Sequence, residues 1–405
     1  MQGAAAAVNG KDGASSIRPP PPRLLRPLLL VAVLGTGFLA VVALLLGGGS
    51  STSSSLLPGL SAASASPRRP QHQHQQQQAC AGSEAADAAS PALDRWTRAP
   101  ASAWHNMSDE ELLWAASWQP LAARYPFRRT PKVAFLFLTR GPLPLAPLWD
   151  RFFAGAPRRS LYSVYVHATP GYRPGFPPSS AFHGRLVPSQ AARWGEASVL
   201  DAERRLLANA LLDPGNGRFV LLSESCAPLF GFPAVHAYLT RSRHSFVGAF
   251  DDPGPNGRGR YRPALAPEVR RRQWRKGAQW FELARGLAVA VVADARYYPK
   301  FRDHCRAPCY ADEHYLPTLL TIEAPARIAN RSVTWVDWSR GGAHPATFGE
   351  ADVGEAFLRR LTATAQGNCT YNGQPAEVCF LFARKFAPGA LRPLMQLAPK
   401  LLGYG

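Results

Sequence analysis

Several common catalytic signatures are missing from this 405-residue chain. No GxxxxGKS/T string occurs, so a phosphate-cradling P-loop is absent. No strand-like run is followed by GxGxxG, and the glycine-rich stretch from Gly254 to Tyr261 reads as a loop. Ser223-Glu-Ser-Cys226 follows an apolar run, yet no flanking glycines shape a nucleophile elbow there. Lysine is scarce: only six of the 46 cations are Lys and the rest are Arg. They are spread along the chain, so the net charge of +19 reads as a residue bias rather than a phosphate-tracking stripe, and nucleic acid is not an expected partner. With 46% hydrophobic and 10% aromatic residues, the chain is able to bury a sizeable core, which excludes wholesale disorder. No internal repeat is evident.

Charge is also absent from Pro27 to Pro67. Within that stretch, Leu28 to Leu46 has no strong polar group beyond Thr36. A helix of that length rises about 28 Å, enough to cross a bilayer core. Lys11, Arg18, Arg23 and Arg26 precede it against one Asp12, and no cation follows until Arg68. The positive-inside bias then keeps the short N-terminus cytosolic and sends everything after the span across the membrane. A leader of this length argues against a cleaved signal peptide. The expected organisation is a cytosolic tail (1–26), a signal-anchor helix (27–46), a low-complexity luminal stem (47–95), a lead-in segment (96–130) and a luminal domain (131–405).

That topology puts all six cysteines (80, 226, 305, 309, 369 and 379) in an oxidising compartment, where pairing is expected. Cys369 and Cys379 suit a small loop. Cys305 and Cys309 pair locally or one of them reaches elsewhere, and Cys226 remains a further disulfide candidate, since six cysteines allow fifteen pairings. His304-Cys305, Cys309 and His314 can be drawn as a zinc site, but the compartment favours disulfides, and no metal is expected. Asn106, Asn330 and Asn368 head glycosylation sequons on the same side of the membrane.

Ser108-Asp-Glu-Glu111 ahead of Leu112 reads as the capped start of a short helix. The runs 132–139, 161–169, 218–223 and 245–250 read as strands, the first and third buried on both faces. Helical spacing marks 145–153 and the segment from Glu196 to the Asp213-Pro-Gly-Asn-Gly stop. Strands alternating with helices imply an α/β fold with an open, mainly parallel sheet. Ligands of such sheets bind beyond the carboxyl ends of the strands, which directs attention to Thr139-Arg140, His167–Thr169, Ser223–Ser225 and Asp251-Asp252.

Asp251-Asp252 resembles an acidic pair that holds a divalent cation, but Pro253-Gly254 follows and favours a turn. In Tyr310-Ala-Asp-Glu-His-Tyr315, two acids and a His open an apolar segment among aromatics. Such acids serve either as helix-dipole partners or, with a tuned pKa, in proton transfer, so Glu313 is a general-base candidate. Trp335 and Asp337 fall on one face of a strand and Trp338 on the other, which suits either a saccharide pocket or a core. Arg384-Lys385 follows an apolar strand, facing either a diphosphate or solvent.

Together these pieces resemble the core-2/I-branching β-1,6-N-acetylglucosaminyltransferase family, particularly its plant branch. The resemblance runs from about Pro131 to Leu394 through AFLFLTRGPLPLAPLWDRFF (134–153), WGEASVLDAERRLLANAL (194–211), FVLLSESCAPLF (219–230), WRKGAQWFELAR (274–285), YYPKF (297–301), CYADEHYLPT (309–318), TWVDWSRGGAHPATF (334–348) and CFLFARKFAP (379–388). It implies a GT-A-like luminal domain in the Golgi that inverts the anomeric centre of a UDP-sugar without a divalent metal or other cofactor. Glu313 falls at the family's catalytic base. Lys385 matches the lysine that meets the donor diphosphate, with Arg384 or an arginine at 359–360 beside it. Trp335 with Asp337, and Arg260-Tyr261, match acceptor-contacting segments. The implied partners are a UDP-sugar, a glycan acceptor on a glycoprotein or wall polysaccharide, and the membrane through one helix. A homodimer or a complex with other Golgi glycosyltransferases is the further partner. Two departures stand out: Val166-His-Ala-Thr169 where animal members often read V-H-V-D, and Glu224-Ser-Cys-Ala-Pro228 in place of a Gly-x-Asp-Tyr-Pro segment. Both touch the surroundings of donor and acceptor, so GlcNAc as the transferred sugar rests on resemblance alone. Two alternatives stand beside this reading: a non-catalytic glycan-binding or scaffold protein of the same fold, and a metal-dependent transferase using Asp251 and Asp252.

Overall fold

The computed structural model describes residues 99–120, 131–363 and 369–405. The expected tail, anchor helix and stem, with Cys80, Asn368 and the rest of the lead-in segment, lie outside these residues. Among the described residues, no helix is long and apolar enough to cross a membrane.

The sheet is built from the continuous apolar runs. β1 (Lys132–Leu138) pairs in parallel with β2 (Tyr162–His167) on one side and with β3 (Asn216–Ser223) on the other. The strands alternate side chains between two cores. Val133, Phe135 and Phe137 face one core and Ala134 and Leu136 the other, while β3 sends Val220 and Leu222 one way and Phe219 and Leu221 the other. A strand buried on both faces has no polar alternation to show, which is why these runs read as unbroken apolar sequence.

The first core takes α2 (Ala146–Ala154) and α4 (Phe232–Arg241). Phe135 sits at its centre, with ring centroids of Phe153, Phe152 and Trp149 at 5.1, 5.8 and 6.1 Å. The second core takes α3 (Ser198–Leu211), α5 (Arg285–Val292), α6 (Tyr298–His304) and α7 (Ala311–Glu323). The lead-in α1 (Asp109–Ala116) begins at a complete capping box: Ser108 Oγ accepts from Glu111 N, and Glu111 Oε2 accepts from Ser108 N. Asp109 then forms an ion pair with the buried Arg205 of α3, which ties the lead-in to the domain.

The fourth strand is not the expected one. Residues 245–250 make only single bridges, Ser245 to Ile328, Phe246 to Glu282 and Phe250 to Lys276. Their backbone bonds are divided among three neighbours, so no ladder forms. The sheet's fourth position is taken by β5 (Glu282–Ala284), antiparallel to β3, giving the order β2-β1-β3-β5. Beyond β2, Leu186 adds a single parallel bridge at Val166.

A second small sheet follows from the end of β3. β4 (Ala227–Pro228) pairs antiparallel with β9 (Phe382–Arg384), and β9 pairs in parallel with β6 (Thr334–Val336). The hairpin of β7 (Cys369–Tyr371) and β8 (Gln374–Ala376), α8 (Glu355–Thr362) and α9 (Leu391–Leu397) complete the described chain. Disulfides join Cys305 to Cys309 and Cys369 to Cys379. Cys226 is a correction to the disulfide expectation: its thiol is free. It is fully buried beside β3, where Sγ lies 3.3 Å from Ser223 N and 3.4 Å from its hydroxyl, and it packs as a small apolar side chain.

Candidate functional site

Chain order reverses between β1 and β3, since β1 runs outward to β2 and the chain then returns to β3 on its other flank. Crevices in open α/β sheets form at such a point, beyond the strand ends. Arg140 follows β1 and Glu224 follows β3 at that place. Phe386 N donates to Ser225 O at 2.9 Å, which stitches the segment after β9 to the same loop and brings Lys385 there.

Lys385 is half-buried, and its ammonium pKa is pulled down by burial first and then by Arg384 and Arg140, against the pull of Glu224. His344 is pushed down by burial and by the same cations, Lys385 leading. Arg384 lies over the Trp280 ring at 3.9 Å, and its Nε has no hydrogen-bond partner among the described residues. Arg140, His344, Arg384 and Lys385 therefore converge on one place with Glu224 as the acid among them. Such a cluster attracts an anion.

The second half of the site is the start of α7. Successive helical residues turn by about 100°, so neighbours in Asp312-Glu313-His314 face different ways. Asp312 and His314 are buried, while Glu313 is partly exposed. Glu313 Oε2 accepts from Arg260 at 2.6 Å and from Lys276 at 3.2 Å. Its Oε1 receives no hydrogen bond among the described residues. The helix start is fixed from several sides. Cys305–Cys309 closes the loop before it, and Tyr310 enters with φ of 54°, a left-handed conformation unusual for a tyrosine. Gly277 N donates to Glu313 O at 2.8 Å, and a Cβ on Gly277 would lie 2.0 Å from Gly248 O, so only glycine permits that approach. His314 stacks on Trp274 at 4.4 Å with Nδ1 2.8 Å from Arg275 O, and burial pushes its pKa down to about 4, keeping the ring neutral.

The two halves are joined by a row of rings. Trp194, 49% exposed, lies 5.0 Å from His344 and 5.0 Å from Tyr310. Arg260 covers the Tyr310 ring at 4.3 Å. An exposed aromatic face between an anion site and a carboxylate suits the apolar face of a sugar.

The other sequence candidates fall in different places. Tyr261 gives its hydroxyl to Val269 O at 2.8 Å and packs edge-on against Trp274. Trp335 stacks on Phe348 at 5.9 Å against the first core, and the Asp337 carboxylate accepts from Ser339 N at 2.8 Å. Both belong to the β6 side, next to Lys385, and neither touches Glu313. Asp251 is ion-paired with Arg258 at 2.6 Å and Asp252 accepts from Gly254 N at 2.8 Å, the geometry of the expected turn. Asn106 is exposed, and Asn330 is exposed with its carboxamide oxygen 2.7 Å from Ala249 N. Arg140 lies at a strand end to which the sequence directed attention, but the site also contains residues that the sequence did not single out: Lys276, His344 and Trp194. Lys276 lies 37 positions from Glu313, and no local pattern signals the meeting.

Behind Glu313, Asp312 is raised to about 6, by burial first and then by the Glu313 charge. A carboxyl raised in the folded state favours folding below its unfolded pKa of about 4 and loses that contribution as pH rises through about 6. Asp312→Asn is therefore expected to gain stability relative to the wild type as pH climbs through this window, by on the order of 2–3 kcal/mol at neutrality. Urea unfolding at both ends of the window reads this difference, and a pH-independent offset would refute it.

The fold and this strand-end site define an α/β protein with a partly exposed carboxylate facing a basic cluster across an aromatic row. Residues 133–362 match the sequence profile of the Core-2/I-Branching enzyme family, and the chain belongs to that family of glycosyltransferases. It is similar to the protein named Glycosyltransferase BC10 from Oryza sativa subsp. japonica, with 37% identity over 315 residues, covering 66% of this chain and 76% of the relative.

Proposed function

We propose that the chain is an inverting, metal-independent glycosyltransferase of the Golgi membrane, which moves a sugar from a UDP-sugar to a hydroxyl of a glycan. The observation that carries this reading is the pairing of Glu313, whose Oε1 is open, with the Arg140–Arg384–Lys385 cluster across the Trp194–Tyr310 row. The acceptor hydroxyl gives its proton to Glu313 Oε1 as its oxygen bonds to the anomeric carbon. The bond from that carbon to the UDP oxygen breaks on the opposite face. Negative charge grows on the departing diphosphate, where fixed cations stabilise it more than they do the ground state. Lys385 and Arg140 fill that role here. Family membership is the support for GlcNAc as the transferred sugar, and the name of the rice relative supports transfer chemistry.

The test is UDP binding by calorimetry in excess EDTA, with Lys385→Ala alongside. Losing a charge-assisted contact of about 1.5–3 kcal/mol weakens UDP roughly 10- to 150-fold. Binding absent in EDTA and restored by Mn²⁺ would move the donor site to Asp251-Asp252 and break this mechanism. Tight UDP binding without transfer to any acceptor would leave a non-catalytic glycan-binding protein or scaffold.

A further inference from the structure

We propose that the surface from Arg258 to Lys276 is a track for the carboxylates of an acidic glycan, so that the acceptor is a chain bearing uronic acid residues; this rests on the transfer reading above. Eight of these nineteen residues are Arg or Lys, and one, Glu268, is an acid. Arg258 is neutralised by Asp251, and Arg260 and Lys276 share Glu313. Arg262, Arg270, Arg271, Arg272 and Arg275 form no ion pair among the described residues, although Arg275 lies near enough to Asp251 to help hold that carboxyl down. Arg270, Arg271 and Arg272 are exposed, and Arg275 gives its guanidinium only to the carbonyls of Arg272 and Trp274.

Position makes this density informative. The 271–273 turn packs on α7, whose first turn carries Glu313. Lys276 Nζ is on the Glu313 carboxylate, and Arg272 is four residues away, a backbone reach of at most about 14 Å. The track therefore ends where the acceptor hydroxyl must sit, away from the Lys385 cluster that faces the diphosphate. At its outer end an open cleft of about 600 Å³ is lined by Glu268, Arg270, Arg296 and Lys300, with the acid 3.1 Å from Lys300. A neutral acceptor gives these arginines nothing to pair with, and adjacent like charges repel. A chain carrying carboxylates at intervals meets guanidinium groups with matching planar geometry.

The experiment measures binding of an oligogalacturonate, and of the same oligomer with its carboxylates reduced to alcohols, to the full chain at low and moderate salt. Arg270→Gln/Arg271→Gln/Arg272→Gln is compared with Arg158→Gln/Arg159→Gln, an exposed pair ahead of β2 at the opposite end of the sheet. The acidic oligomer is expected to bind the wild type with an affinity that falls with salt and drops about tenfold in the triple variant. The control pair is expected to leave it unchanged, and the reduced oligomer is expected to bind weakly and alike to all. Equal binding of acidic and reduced oligomers, or no loss in the triple variant, overturns the proposal. So does polyglutamate competing with equal affinity, which would assign the track to an acidic polypeptide. UDP affinity is read on every sample. Arginine-dependent oligogalacturonate binding without UDP binding would keep the track and remove the transfer reading, so the two fail separately.

Discussion

Replacing Glu313 with glutamine is expected to lower kcat for sugar transfer by about 10²–10⁴-fold while leaving UDP affinity unchanged. Glutamine keeps the size and one acceptor oxygen of the side chain, so the helix start, held by Tyr310, Gly277 and the Cys305–Cys309 loop, has no steric reason to move. What disappears is a basic oxygen facing the acceptor. The charge facing Arg260 and Lys276 disappears as well, leaving two cations without their acid. Product formation and UDP calorimetry on the same sample separate the two effects. Substantial transfer by Glu313→Gln would remove Glu313 from the role of base.

Arg218→Met is expected to destabilise the fold by about 3–5 kcal/mol above neutral pH, where the buried acid would have to ionise without its partner. Glu282 is completely buried and Arg218 nearly so, with a separation of 3.3 Å. Burial pushes the Glu282 carboxyl up to about 7 despite the pull of Arg218. A raised carboxyl loses its stabilising contribution as pH rises through its folded value, so the variant should lie closest to the wild type in acid and fall away above neutrality. Replacing the whole pair, Arg218→Met with Glu282→Leu, removes the stranded charge and is expected to recover most of the loss. Urea unfolding across pH checks all three statements. A loss below about 1 kcal/mol, the value of an exposed pair, would show that the pair is not desolvated as described.

The same ion pair explains part of what the sequence concealed. β5 opens with a buried charged residue, Glu282, and an apolar-run criterion passes over it. That criterion succeeds for β1 and β3, which are buried on both faces. It fails at 245–250, where the backbone makes single bridges to three neighbours rather than a ladder. Helix α1 was legible because its cap is local: Ser108 and Glu111 satisfy each other within one turn. The candidate site divides along the same line. Glu313 stands out through its immediate neighbours, whereas the ring row is assembled from Trp194, Tyr310 and His344, which lie in three distant segments. Cys226 belongs with these: a cysteine count sets how many pairings are available and says nothing about which thiol faces the core.

The segment that crosses β2 at Leu186 has a consequence for how these molecules behave in a crowd. A bare sheet rim offers unpaired donors and acceptors to any passing strand, a template for polymerisation. At the β2 rim, Val166 N donates to Arg185 O and Val166 O accepts from Val187 N, both at 2.9 Å, and Arg185 Nε takes Val164 O at 2.9 Å. At the far rim, β5 is short and Glu282 exchanges backbone bonds with Phe246 in both directions. Both rims are shut by the chain's own backbone and one guanidinium, so the sheet that carries the site leaves little room for edge-to-edge growth when copies are concentrated on a surface.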